Sequence, residues 1–95
     1  MKPLYLIAEI FPHPDKIDAA HALFDALVKN TLEEPGCLLY DLVIEQDADH
    51  WLMLEKWESK DAWEQHMSTV HVRETNKLAE AVTRDKTKLR FLSGL

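Results

Sequence analysis

The side chains most able to do chemistry fall in one short stretch of the chain, between Glu55 and His71. Trp57 ends a strand-like segment, and His66 and His71 follow in the helical segment after it. A large flat ring beside imidazoles, which titrate near about pH 6.5, suits a pocket where protons move on a flat organic molecule. The same residue types also suit an ordinary core, so both interpretations of Trp57 stay open.

The spacing of the histidines argues against a metal site. On an unbroken helix, residues five positions apart diverge by about 140°, so His66 and His71 do not pair as i, i+4 ligands do. A break at Ser68 and Thr69 would bring them together, but no carboxylate or cysteine stands at supporting spacing. We therefore expect no metal, and interpret both histidines as proton-transfer or hydrogen-bonding groups. The alternative for each is a helix-end histidine bonded to a carbonyl.

Three acids, Glu9, Asp41 and Glu55, lie inside apolar strand-like segments. A buried carboxylate must be paired or protonated. Such an acid, Glu55 above all, can be a proton acceptor in a cavity. The alternative is an ion pair across an interface or at a sheet edge, with Arg90 and Lys56 as possible partners.

Hydrophobic periodicity gives the order of elements as βαββαβ. The strands are predicted at 4–11, 37–45, 51–57 and 86–92. Asp15 is expected to cap the first helix and Ser59 the second, which reaches about Met67 and continues as a further helical stretch at 71–83. The buried stripes are predicted to contain Ile17, Ala20, Phe24, Leu27 and Val28 in the first helix, and Val72, Leu78, Ala79 and Val82 in the last stretch.

Right-handed crossovers then give an α+β, ferredoxin-like fold, a four-stranded antiparallel sheet with both helices on one face. Leu89 and Phe91 of the last strand are predicted to point inward. The opposite face is too apolar to remain in water, which predicts a homodimer formed through the sheet face. We treat residues 1–95 as a single domain.

Composition excludes several classes of function. The chain has 95 residues and a formal net charge of −6, which argues against nucleic acid and anionic membrane as partners. No apolar run reaches the length of a membrane span, and no signal peptide is recognisable, so a cytoplasmic location is expected. The single cysteine, Cys37, is interpreted as a small strand residue. Only two glycines are present, so no glycine-rich loop can hold phosphates and a tightly bound nucleotide or flavin is not expected.

Several segments together resemble the antibiotic biosynthesis monooxygenase family of dimeric α/β-barrel proteins. The resemblance covers nearly the whole chain and rests on Ala8-Glu9, Glu34-Pro35-Gly36-Cys37, Glu55-Lys56-Trp57-Glu58-Ser59, Ala62, His66 and His71. It implies oxygenation of a small aromatic phenol or quinol without a bound cofactor. The catalytic residues would be His71, His66 and Glu55, and the substrate would contact Trp57, Tyr40 and Phe24.

The same family includes enzymes of other kinds. Its haem-degrading members use an asparagine, a tryptophan and a histidine where this chain has Ile10, Trp57 and Asn76, so haem degradation is not expected. Its isomerases of a phosphorylated autoinducer breakdown product have a similar C-terminal segment. An isomerase of a small carbonyl metabolite and a non-catalytic ligand-binding dimer therefore remain alternatives. The family often has proline before its second histidine, whereas this chain has Val70, so the direction of His71 depends on how the helix breaks.

Overall fold

The computed structural model describes residues 2–95. The strands are β1 (Leu4–Ile10), β2 (Cys37–Ile44), β3 (Trp51–Trp57) and β4 (Lys88–Leu92). The helices are α1 (Ile17–Thr31), α2 (Lys60–Met67) and α3 (Val70–Ala79), with a short 3-10 helix (Pro14–Lys16) before α1. The predicted order is confirmed, and the second helical segment is divided into α2 and α3.

The strands form one antiparallel sheet in the order β2-β3-β1-β4. Each helical crossover therefore joins two parallel strands that have one strand between them. This is the ferredoxin-like arrangement that right-handed crossovers favour. The predicted α+β fold is confirmed.

The core lies between the helices and one face of the sheet. Alternate residues of β3 are buried there, namely Trp51, Met53, Glu55 and Trp57. They belong to the face covered by Ala20, Phe24 and Leu27 of α1, as the period of two along a strand requires. Of the side chains that the structure describes, Glu55 is the one buried carboxylate. Its position needs a chemical explanation, because a buried acid without a cation is costly.

Three details of the helix predictions are wrong. Asp15 does not cap α1, because Pro14 begins a 3-10 turn earlier and His13 caps it, its Nδ1 accepting from the Asp15 N–H at 3.2 Å. Ile17, at the start of α1, is 42% exposed rather than buried. Leu78 is 58% exposed rather than buried. It lies about 120° around α3 from Val72, off the stripe that Val72 and Thr75 form.

Two side chains of the edge strand β4 lie on the predicted side of the sheet but are less buried than expected. Leu89 and Phe91 stand opposite Ala8 and Leu6, which belong to the helix-facing side. They are nevertheless 42% and 53% exposed, because β4 has a neighbour on only one side. The ring of Phe91 packs edge-on against Trp63, with centroids 5.1 Å apart.

The outer face of the sheet is largely apolar and only partly covered. Its apolar members are Tyr5, Ile7, Leu39, Val43, Leu52, Leu54 and Leu92. Here Arg90 Nε lies 3.1 Å from Glu9, so Arg90, one of the two possible partners, pairs with this acid. Lys56 points to this face and lies over the Tyr5 ring, so it does not pair with Glu55.

Across residues 2–95, no helix combines the length and the apolar character needed to cross a lipid bilayer.

Candidate functional site

A cavity of about 220 Å³ lies between the helix-facing side of the sheet and the helices. Most of its wall is apolar, and Glu55, Tyr40 and His66 bring polar groups into it. The other polar wall residues are Asn76 and Thr87, and the rest of the wall is formed by Ala8, Ile10, Phe24, Leu27, Met53, Trp63, Met67, Val72 and Leu89. An apolar cavity with few converging polar groups is the usual form of a small-molecule site.

Glu55 is the acid of this cavity. It is 6% exposed, and its Oε1 accepts a hydrogen bond of 3.0 Å from the Trp57 indole Nε1. Burial raises the pKa of the Glu55 carboxyl to about 7, and the charge of Glu34 adds to the rise, while the Trp57 bond opposes it. A carboxyl with this pKa exchanges a proton readily near neutral pH.

His66 forms the neighbouring part of the wall, in the last turn of α2. Its ring lies 4.6 Å from the Trp57 ring and 5.3 Å from the Tyr40 ring. Burial lowers the pKa of His66, and the hydrogen bond and charge of Glu34 only partly oppose this. The imidazole is therefore neutral at pH 7.

Glu34 was missed by the sequence analysis, which found no carboxylate near the histidines. Its Oε2 lies 2.7 Å from His66 Nδ1 and 2.7 Å from His71 Nε2. An ionised carboxylate only accepts hydrogen bonds, so in that state of Glu34 both histidines donate to it. His66 Nε2 then remains an acceptor. The two nitrogens and this oxygen lie within 4.8 Å of one another and could hold a metal ion.

The turn that carries Glu34 has a specific shape. Gly36 has φ +85°, and a Cβ there would lie 2.7 Å from the Ala62 Cβ, so only glycine fits. The Gly36 carbonyl accepts the Glu58 N–H at 2.8 Å, which ties the turn to the end of β3. In the sequence, Glu34-Pro35-Gly36 was interpreted only as part of the family resemblance. The glycine at position 36 was the signal in the sequence that this turn has a specific backbone shape.

The helix break that directs His71 is present, although Val70 stands where the family often has proline. Thr69 is the N-cap of α3, and its hydroxyl accepts the Val72 N–H at 3.3 Å and donates to the His66 carbonyl at 2.7 Å. The break brings the His66 and His71 rings to 6.2 Å between centroids. The hydrogen bonds of Thr69 therefore separate α2 from α3. A proline at position 70 would separate them by removing a backbone N–H donor.

The six predicted site residues fall into two groups. Phe24, Tyr40, Glu55 and His66 line the cavity. Trp57 and His71 lie outside the set of lining residues. Trp57 is 0% exposed, so its ring packs on His66 and its N–H bonds Glu55, instead of forming the expected open wall.

Two further groups keep their protons. Burial, with the charge of Glu55, raises the pKa of Tyr40, so its hydroxyl can donate but does not ionise near neutral pH. Burial likewise raises the pKa of Cys37 to about 11. A thiol in this state is a poor nucleophile.

Comparison with known proteins agrees with this fold. The family model described as antibiotic biosynthesis monooxygenase matches residues 3–78. A Mycobacterium tuberculosis protein named "Putative monooxygenase Rv0793" is 35% identical over 69 residues, which are 73% of this chain and 68% of that protein.

Solved structures extend the match over the whole chain. The structure of Rv0793 has a TM-score of 0.92 at 28% identity, covering 98% of this chain and 95% of that one. The structure of PA3566 from Pseudomonas aeruginosa has a TM-score of 0.91 at 32% identity, covering 100% and 96%. Since the family model spans most of the sequence and these folds agree with it, the chain belongs to the antibiotic biosynthesis monooxygenase family.

Proposed function

We propose that this protein is a cofactor-independent monooxygenase that acts on a single-ring phenol or quinol. The observation that carries the proposal is Glu55, a carboxyl with a pKa of about 7 in the wall of a largely apolar cavity. Such a group accepts the proton of a substrate hydroxyl at neutral pH. The names of the related proteins support oxygen as the second substrate.

The size of the cavity favours one ring. An apolar cavity of about 150 Å³ holds benzene, whereas pockets for drug-sized ligands begin at about 300 Å³. At about 220 Å³ this cavity suits a ring with small substituents. Phe24 offers it an aromatic neighbour, and the Tyr40 hydroxyl offers a hydrogen bond.

The reaction balances without a cofactor when the substrate is a quinol. Glu55 takes a proton from the substrate hydroxyl, and the resulting quinolate is electron-rich enough to reduce O₂. One oxygen atom bonds to a ring carbon in place of hydrogen, and the other leaves as water. A quinol and O₂ therefore give a hydroxyquinone and water. The quinol supplies every electron, and the protein manages protons only.

The remaining residues support this proton transfer. His66, kept neutral and bonded to Glu34, receives or returns a proton through its other ring nitrogen. His71 acts through Glu34, which it bonds at 2.7 Å. Trp57 orients the Glu55 carboxyl through the indole N–H.

The apolar outer face of the sheet supports a second copy of the chain as its partner. Tyr5, Leu52 and Leu54 are among the partly exposed residues there. Two such sheets packed face to face would bury them, since contiguous apolar patches usually mark interfaces. Analytical ultracentrifugation at micromolar concentration is expected to give a dimer, and a monomer would contradict this part of the proposal.

Oxygen consumption with single-ring quinols and phenols tests the function. We expect uptake above the enzyme-free rate, with Glu55→Gln slower by at least about 100-fold. Glu9→Gln is the matched control, because Glu9 lies on the outer face and is expected to leave the rate unchanged.

Absence of uptake across the panel would overturn the oxygenase. Solvent proton exchange into a carbonyl compound without oxygen uptake would instead indicate an isomerase. Ligand binding without any turnover would indicate a binding protein.

A further inference from the structure

The cluster of Glu34, His66 and His71 has a composition that suits a second role besides the proton transfer proposed above. One carboxylate oxygen is shared by two imidazole nitrogens at 2.7 Å each. The side chains are largely withdrawn from water, with 12% of Glu34, 3% of His66 and 25% of His71 exposed. The ion-pair partners of Glu34 in the described chain are these two histidines.

Two imidazoles and one carboxylate are a donor set that divalent transition metals prefer. Zn²⁺ takes nitrogen and carboxylate ligands at about 2.0–2.2 Å, and sites with three protein ligands keep a fourth position for water. Metal binding requires an ionised carboxylate and neutral imidazoles, a donor set whose single negative charge attracts a dication. His71, the most exposed of the three, gives the ion a route from solvent.

The geometry is close to what coordination needs. Ligands around a tetrahedral Zn²⁺ stand roughly 3.4 Å apart for bonds of about 2.1 Å. Here the oxygen–nitrogen distances are 2.7 Å and all three ligand atoms lie within 4.8 Å. Shifts of less than about 1 Å per side chain would reach tetrahedral spacing. Such shifts are accessible because His71 lies in the first turn of α3 and Glu34 lies in a turn.

We propose that Glu34, His66 and His71 bind one divalent transition-metal ion of the Zn²⁺ class, through Oε2, Nδ1 and Nε2. The ion replaces the two hydrogen bonds that now link the three side chains. Coordination through Nδ1 places the remaining proton of His66 on Nε2, so the free edge of this ring changes from acceptor to donor. The binding itself does not depend on the proposed oxygenase activity.

Isothermal titration of the chelator-treated protein with Zn²⁺ tests this site. We expect one ion per chain, and a loss of affinity of more than about 100-fold in Glu34→Gln and in His71→Asn, because changes beyond the ligands already cost about 10–100-fold. Glu33→Gln and His21→Asn are matched controls on exposed side chains and are expected to bind normally. Cys37→Ser, which removes the only thiol, is expected to bind normally as well.

Absence of Zn²⁺ binding by the wild-type chain would overturn the proposal. So would retention of affinity in Glu34→Gln, or loss of affinity in His21→Asn or Cys37→Ser. If the ligand variants fail to fold, the visible spectrum of Co²⁺ bound to the wild type decides. A tetrahedral spectrum supports the site, and an octahedral one contradicts it. These readouts are separate from oxygen consumption, so either proposal can fail alone.

Discussion

The two faces of the sheet hold acids in contrasting surroundings. On the outer face, Glu9 lies 3.1 Å from Arg90 Nε and 3.8 Å from His50 Nε2, with 21% of its side chain exposed. On the helix-facing side, Glu55 is 6% exposed, and its hydrogen-bond donor is the neutral indole of Trp57. Among residues 2–95, the outer acid has a cationic partner, Arg90, and the inner acid has none.

This difference explains which acid is suited to chemistry. An opposite charge stabilises a carboxylate in its ionised form, whereas burial without one favours the protonated form. The pKa of Glu55 is accordingly raised to about 7. Glu9 serves the structure of the outer face, and Glu55 can exchange a proton in the cavity.

The largest expected effect on stability comes from the inner acid and depends on pH. The folded-state pKa of Glu55 is raised from 4.5 to about 7, so folding is penalised as pH rises from about 4.5 to about 7. The penalty reaches roughly 3 kcal/mol above that range, at about 1.36 kcal/mol per pKa unit. We expect Glu55→Gln to gain this amount relative to wild type between pH 4.5 and pH 8, measured by urea unfolding. A difference that is constant with pH would contradict the shifted pKa.

The next effect concerns the turn that holds Glu34. Gly36→Ala places a Cβ 2.7 Å from the Ala62 Cβ, at a residue whose φ is +85°. We expect a loss of about 1–3 kcal/mol in the free energy of unfolding, since both overpacking and backbone strain oppose the substitution. Gly94→Ala is the control, because its nearest contact would be an ordinary 3.7 Å. Equal stabilities of the two variants would show that the turn tolerates a side chain.

A smaller effect is expected at the break between α2 and α3. Thr69→Ala removes the cap of α3 and should lower the free energy of unfolding by about 1 kcal/mol. Ser68→Ala is the neighbouring control, since the Ser68 hydroxyl bonds only the exposed Glu64 carbonyl at 3.2 Å. Thermal unfolding of both variants measures the difference. A Thr69→Ala protein as stable as Ser68→Ala would show that Thr69 does not hold the break.

The smallest effect belongs to the outer acid. The Glu9–Arg90 pair is partly exposed, 21% and 54%, so solvent screens it. Glu9→Gln should cost about 0.2–1 kcal/mol, and less at high salt. Denaturant unfolding at low and high ionic strength checks this. A cost as large as that of Gly36→Ala would mean that the outer acid is more than a screened ion pair.

The fold was predictable because its signals are local. Alternation from Trp51 to Trp57, the Ser59 cap and the proline-rich turn at 12–14 each specify backbone structure within a few residues. The side of the sheet on which Glu55 lies followed from the same alternation. Leu78 was misplaced because two apolar stripes fit nearly equally well along a short helix.

The site was only partly predictable because its key contacts are long-range. Glu34 is 32 residues from His66 and 37 from His71, and no periodic pattern relates positions so far apart. The position of Trp57 also required the packed structure. Trp57 does face the helices at the end of its strand. Whether its ring lines an open cavity or is covered by the His66 ring depends on how α2 packs there.

The most direct measurement of the role of Glu55 is a ¹³C NMR titration of its side-chain carboxyl in the wild-type protein, assigned by comparison with Glu55→Gln. A carboxyl that is buried without a cation, and accepts only the Trp57 N–H, is expected to titrate with a pKa of about 7. Glu55 would then be protonated in mildly acidic solution and able to take a substrate proton at neutral pH. A midpoint near the ordinary glutamate value of about 4.3 would contradict this assignment.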